Sequence, residues 1–374
     1  MKKTFLLFAI TLIFLVLTGC SVSDQELKDY VHDKHNVNVD IVSRPKIDTG
    51  NGGNSSFRVK HKDIPEFRFS VFVDGLFFNG ITGDDYKESL EFYEFNKEYM
   101  ESNLHEQFKE LGFEKSFLQL YRTKDEDGFK GSAYLFLFKP EGIGVDEHDY
   151  SLLQQSYPLI QEVKQKLAGL QYDLYELYVY DVNAFNRFYL YEYDSKEYKI
   201  MNEVSIYKTG IEKMNTVDGV KEAIFSDSLN REKLISSHFF KKEGHKVAEK
   251  MPQLNKIGFE PDEGFHYGFV EPYLFCEDGS NDYVSYESMN INACQSYELH
   301  LQTKGTLSGM AEESKKEQIM HMLSIVQSIN LPINNMSLKV MDGKYVDFIY
   351  LEDIDKVKTI QDLEGILDEQ LADE

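Results

Sequence analysis

The chain has 374 residues, 42% of them hydrophobic, with 27 Phe, 24 Tyr and no Trp, so it is long enough for two or three domains with sizeable aromatic cores. Its formal charge of −24 repels phosphate backbones and anionic headgroups. Nucleic acid and a polybasic membrane mode are thereby disfavoured, and a basic protein or peptide suits the field better, unless the acidity serves solubility alone.

At the N-terminus Lys2 and Lys3 make a short basic start, Thr4 to Leu17 carries no charge, and Leu17-Thr18-Gly19-Cys20 follows at once. The segment resembles a bacterial lipoprotein signal peptide with its lipobox. That resemblance implies removal of residues 1–19 and a diacylglyceryl thioether on Cys20, the new first residue. It also implies a body held outward-facing at the cell membrane by acyl chains of the palmitate kind, an extracytoplasmic lipoprotein. An uncleaved anchor helix fits less well, because the apolar run is near the lower limit for a span and Ser21, Ser23, Asp24 and Gln25 follow directly. Cleavage leaves 355 residues with a charge of −26.

Beyond the anchor, Leu27, Tyr30 and Val31 fall at helical spacing, and Val37, Val39 and Ile41 alternate as in a half-buried strand. A Gly- and Asn-rich loop, residues 48–56, leads to strands from Phe57 and from Phe67, so residues 20–80 read as a helix-plus-three-strand unit. Residues 81–210 read as a first α+β half. Its elements are one long helix from Tyr86 to Leu111, strands from Phe117 and Ser132, a helix from Tyr150 to Leu167 that Pro158 kinks or starts, and aromatic strands from Asp173 and Arg187. Residues 211–374 follow the same order, with a helical region from Arg231 to Ile257, strands near Tyr267 to Phe275 and Ser296 to Gln302, a helix from Glu312 to Ile329, and strands from Met336 and Tyr345. Ile257-Gly258-Phe259-Glu260 echoes Leu111-Gly112-Phe113-Glu114. A tandem duplication and two generic segments in one order both account for this. Thr359 and Asp362 open a last amphipathic helix. The fold class expected is α+β, mainly antiparallel sheets with packed helices.

Chemistry is sparse. Besides Cys20 there are only Cys276 and Cys294, eighteen positions apart around a polar, turn-rich segment, and an exported protein suits a disulfide between them better than two buried thiols. His32 and His35 share a helix face, but a metal site needs more ligands, so both read as solvated and no metal or other cofactor is expected. Lys208-Thr209-Gly210 spells a β-lactamase motif, but the Ser-x-x-Lys from Ser205 overlaps it on one lysine where the chemistry needs a remote helix, and the other, Ser43 to Lys46, contains Pro45 at a strand end. Glu277, Asp278, Asn281 and Asp282 lack the spacing of a calcium loop.

The least routine feature is a tyrosine ladder, Tyr175, Tyr178 and Tyr180 followed by Tyr189, Tyr191 and Tyr193. On paired strands the last three share one face with Arg187. Such a face suits binding, while a sheet whose hydroxyls reach the edge beneath covering helices uses tyrosine equally well. Together these features point to a non-enzymatic, surface-tethered binding protein. A cell-envelope hydrolase with carboxylates distant in sequence is the second reading and a transporter solute receptor the third.

Overall fold

In the computed structural model the described residues are 22–44, 55–74, 80–125, 128–190, 204–262, 265–266, 269–270, 273–277, 294–303, 312–342 and 345–372. Cys20 and the signal segment lie outside them, as do Tyr191, Tyr193, Asp278, Asn281 and Asp282. The chain forms two compact units, residues 1–102 and 103–374. Both contain helices and mostly antiparallel strands, so the fold is α+β. Among the described residues no helix is long and apolar enough to cross a membrane.

The first unit opens with α1 (Asp24–His35), started by a capping box in which the Ser23 hydroxyl accepts from the Glu26 amide and the Glu26 carboxylate accepts from the Ser23 amide. Leu27 and Val31 are fully buried against an antiparallel meander, β1 (Val39–Ser43), β2 (Ser55–His61), β3 (Arg68–Val73) and β4 (Ile81–Asp84). The alternation in β2 and β3 sends Phe57, Val59, Phe69, Val71 and Val73 into the core. The fourth strand and the following α2 (Tyr86–Met100), which packs on β3, extend this unit beyond residue 80 to Ser102. The helix expected to run unbroken to Leu111 stops here, at Met100, and the Ser102 hydroxyl donates to the Tyr99 carbonyl at 2.6 Å in the break. A new helix, α3 (Asn103–Leu111), begins the second unit.

In the second unit β5 (Lys115–Asp125) and β6 (Gly128–Lys139) form an antiparallel hairpin. Then α4 (Glu147–Gly169) crosses over, passing through Pro158, to β7 (Tyr172–Asp181), which runs parallel to β6. After a turn and the short α5 (Phe185–Tyr189), β8 (Val204–Tyr207) pairs antiparallel with β7. Four helices follow: α6 (Lys208–Ile211), α7 (Val217–Phe225), α8 (Ser228–Ala248) and α9 (Met251–Lys256). The buried Asn230 of α8 fastens β8, accepting from the Ser205 amide and donating to the Ser205 carbonyl.

The remaining strands are β9 (Phe259–Pro261), the paired β10 (Phe265–His266) and β11 (Phe269–Val270), β12 (Leu274–Cys276), β13 (Tyr297–Thr303), β14 (Ile333–Asp342) and β15 (Tyr345–Leu351). β9 and β12 both pair antiparallel with β13, α10 (Glu312–Val326) crosses over, β14 runs parallel to β13, and β15 returns antiparallel. The path β12–β13–β14–β15 therefore repeats the strand pairing of β5–β8, with β9 added beside β13 as a fifth strand. The helix-to-strand junctions that lead into them also match: Gly112 and Gly258 take φ of 112° and 91° after a helix, and each is followed by a fully buried phenylalanine, Phe113 or Phe259. What recurs is topology and this junction, which does not by itself make the two sheets copies of one ancestor. The chain ends in α11 (Ile360–Ala372), where Thr359 and Asp362 exchange the two bonds of a capping box.

Cys276, at the end of β12, and Cys294, three residues before β13, are joined as a disulfide with Cα atoms 5.8 Å apart. The bond closes the loop whose two ends the strand pair already brings together. Loss of a cross-link over this separation costs about 3 kcal/mol through the unfolded chain. In the Cys20→Ala protein, unfolded without reductant, alkylation is expected to find no thiol, and denaturant titration after reduction is expected to show that loss of stability.

Candidate functional site

Among the described residues three clusters of chemistry-bearing side chains stand out, and two of them are occupied with holding the fold. Asp84, at the end of β4, has a side chain only 3% exposed and accepts from Tyr30 Oη at 2.8 Å, Lys34 Nζ at 2.8 Å and the Tyr86 amide at 3.1 Å, with His35 Nε2 at 2.9 Å. Burial pushes its pKa up, but the bonds from Lys34, His35, Tyr30 and the amide outweigh this and bring it down to about 2. His35 is thus no solvated histidine: its side chain is buried, stacked on Tyr86 at 4.1 Å, and helps to bolt α1 to the sheet.

Asp146, His148 and Asp149 place ligand atoms within 4.8 Å of one another at the start of α4. Asp146 caps that helix through the Asp149 amide, and buried Asp149 takes the Gly144 amide at 2.6 Å and Lys139 at 3.1 Å. Both carboxylates are committed to the β6–α4 corner.

The third cluster is the outer face of the β5–β8 sheet. The helix-side residues Leu135, Leu137, Leu177 and Val179 are fully buried, so the pleat turns the aromatic residues of the same strands outward. Phe117, Phe136 and Tyr178 stand opposite one another across three strands and stack at 4.6 and 4.8 Å. In the next row Tyr134 of β6 faces Glu176 of β7, which faces Tyr207 of β8. A bulge lies between them: Ala133 opposes Leu174 and Tyr134 opposes Glu176, leaving Tyr175 as the extra residue.

One end of this face is roofed. Asp181 accepts from the Asn183 amide and starts a helical turn that runs into α5, where Phe185, Phe188 and Tyr189 come down on the sheet. Ring centroids are 5.3 Å for Phe138 and Phe185, 4.4 Å for Tyr180 and Phe188, and 5.4 Å for Phe117 and Tyr189. The expected strand from Arg187 is therefore corrected over its described part. Tyr189 is helical and belongs to the roof, not to a strand face, and Tyr191 and Tyr193 lie outside the described residues. The segment alternates, but Phe185, Phe188 and Tyr189 also satisfy i, i+3, i+4 spacing, and the capped turn before them selects the helix.

Among the described residues nothing roofs the other end. Tyr121, Tyr175 and Tyr207 are 48%, 47% and 47% exposed. Tyr134 joins Tyr121 at 5.3 Å and Tyr175 at 5.8 Å, and Tyr175 joins Tyr207 edge-on at 6.3 Å. Beneath these rings Glu176 is 4% exposed and accepts from the Tyr178 hydroxyl at 2.8 Å. Its charge makes itself felt throughout the cluster. It is the leading cause that holds the Tyr207 pKa above the ordinary tyrosine value, and it adds to burial in raising Tyr134 and Tyr178. Tyr175 and Tyr178 were legible as candidates. Tyr121, Tyr134, Glu176 and Tyr207 were not, since only strand register brings them together.

No protein-family model matches this chain, and no curated protein matches it. Among solved structures, a DUF5037 family protein from Ruminococcus gnavus is similar at 17% identity over 44% of this chain and 77% of that one, with a TM-score of 0.25, a likeness too slight to carry fold or function.

Replacing Glu176 by Gln removes the charge that disfavours a phenolate at Tyr207 while keeping the side chain's shape. By ¹³C NMR of labelled tyrosine, the Tyr207 titration is expected to move to lower pH in the Glu176→Gln protein. That of Tyr30, in the first unit, is expected to stay in place.

Proposed function

We propose that this chain is an extracytoplasmic lipoprotein, tethered to the cell membrane by acyl chains on Cys20, whose folded body binds a partner without transforming it. The single observation that supports binding is the open end of the β5–β8 face, where three half-exposed tyrosines and Tyr134 sit over a sunken carboxylate. Large amphipathic rings with few rotatable bonds offer contact area at low entropic cost, and tyrosine is enriched at interfaces and their hot spots. The tether rests on the sequence alone, on Leu17-Thr18-Gly19-Cys20 behind an uncharged run. A protein held at the membrane meets its partners there, and the strong negative charge favours basic ones.

The test has two arms in one strain. Cells fed radioactive palmitate are expected to label the wild-type protein in the membrane fraction and to leave Cys20→Ala unlabelled. Cross-linking on intact cells is expected to trap a discrete adduct that disappears in the Tyr121→Ala, Tyr175→Ala, Tyr207→Ala triple variant while its circular dichroism stays unchanged. An unlabelled wild-type protein would overturn the tether, and an adduct indifferent to the triple variant would overturn the face.

A further inference from the structure

Ionisable side chains that leave water in this chain do so with partners, one excepted. Among the described residues buried Asp149 is held by the Gly144 amide and Lys139, Glu176 by the Tyr178 hydroxyl, His105 by Ser116 and His61 by the Asp63 amide. Arg231 is the only lysine or arginine in that buried set, at 6% exposed. Its Nε is sealed from solvent without a hydrogen-bond acceptor, and no described carboxylate forms an ion pair with it. Asp227, one turn earlier, accepts from the Asn230 amide instead.

The position sharpens the imbalance. Arg231 belongs to the first turn of the 21-residue α8, beside Asn230, which clasps β8, and the helix continues onto β12. The residues that follow on the same helix face, Leu234 and Ile235, are buried and apolar. A cation among such neighbours costs free energy that a paired acid normally offsets, and an apolar residue of similar length would avoid the cost. The first turn of a helix also carries partial positive charge of its own, so the two fields add. Both call for an anion.

We propose that Arg231 anchors a second ligand site, besides the tyrosine face, that takes the carboxylate of a small organic acid. A planar guanidinium meets a carboxylate with two parallel hydrogen bonds. Exposure of only 6% admits a small group and no broad surface. One cation in a chain whose net charge is −24 favours a monoanion over a dianionic phosphate.

The probe is sodium acetate, titrated against sodium chloride at constant ionic strength into the mature Cys20→Ala chain labelled with ¹⁵N-arginine. The Arg231 Nε–H signal, assigned by its loss in Arg231→Lys, is expected to shift and saturate with a dissociation constant on the order of 1 mM. Inorganic phosphate is expected to bind about tenfold more weakly, and chloride to leave the signal in place. Arg231→Met is expected to unfold at the denaturant concentration of the wild type or higher when chloride is the only anion, since it leaves no partner behind. Acetate is expected to raise the wild-type midpoint by mass action and to leave that of Arg231→Met unchanged. An Nε–H signal indifferent to acetate would overturn the inference. So would an Arg231→Met protein that is unfolded or much less stable in chloride, because the guanidinium would then serve a contact within the chain. Phosphate binding as tight as acetate would overturn the carboxylate assignment.

Discussion

Two parallel strands cannot be joined by a tight turn; the chain must climb out of the sheet and come back along one of its faces. That constraint acts twice in the second unit, between β6 and β7 and between β13 and β14. Each crossover helix covers one face of its sheet and takes the aliphatic residues, Leu135, Leu137, Leu177 and Val179 in one sheet and Leu299, Leu301, Met336 and Leu338 in the other. The opposite faces are left to be closed by whatever else the chain supplies. On the β5–β8 sheet, among the described residues, this is α5, which is only five residues long and roofs one end. On the other sheet the edge strand β15 shows Phe348 and Tyr350 to solvent, 49% and 54% exposed.

The open end is an unusual place for a carboxylate. Removing a charge from water costs several kcal/mol, and swapping a buried charge for a well-packed apolar residue is often neutral or stabilising. Stability alone thus gives no reason to keep a glutamate at position 176. The Tyr178 hydroxyl donates to it and offsets part of the cost, and the charge in turn helps to raise the pKa values of Tyr134, Tyr178 and Tyr207.

Much of the framework was legible because it is local. Alternation marked β2, β3, β7, β14 and β15, helical spacing marked α1, α4, α10 and α11, and the recurrent Gly-Phe-Glu marked the helix-to-strand junction ahead of each sheet in the second unit. The helix break at Ser102 escaped notice because it falls inside a run whose apolar spacing is helical on both sides, with no Gly or Pro to mark it. β4 escaped because four residues, Ile81–Asp84, carry too short a pattern. The site escaped for a different reason. Tyr134, Glu176 and Tyr207 share no motif, and one bulged residue, Tyr175, decides which way the side chains after it point. No window of sequence contains that information.

The central claim is that the tyrosine face is covered at one end and open at the other, and hydroxyl-radical footprinting of the mature protein read by mass spectrometry tests it residue by residue. Tyr121, Tyr175 and Tyr207 are expected to oxidise quickly, and Tyr150, Tyr172 and Tyr180, which are at most 9% exposed, slowly. Oxidation of Tyr175 and Tyr207 as slow as that of Tyr180 would contradict the account, because the face would then be closed.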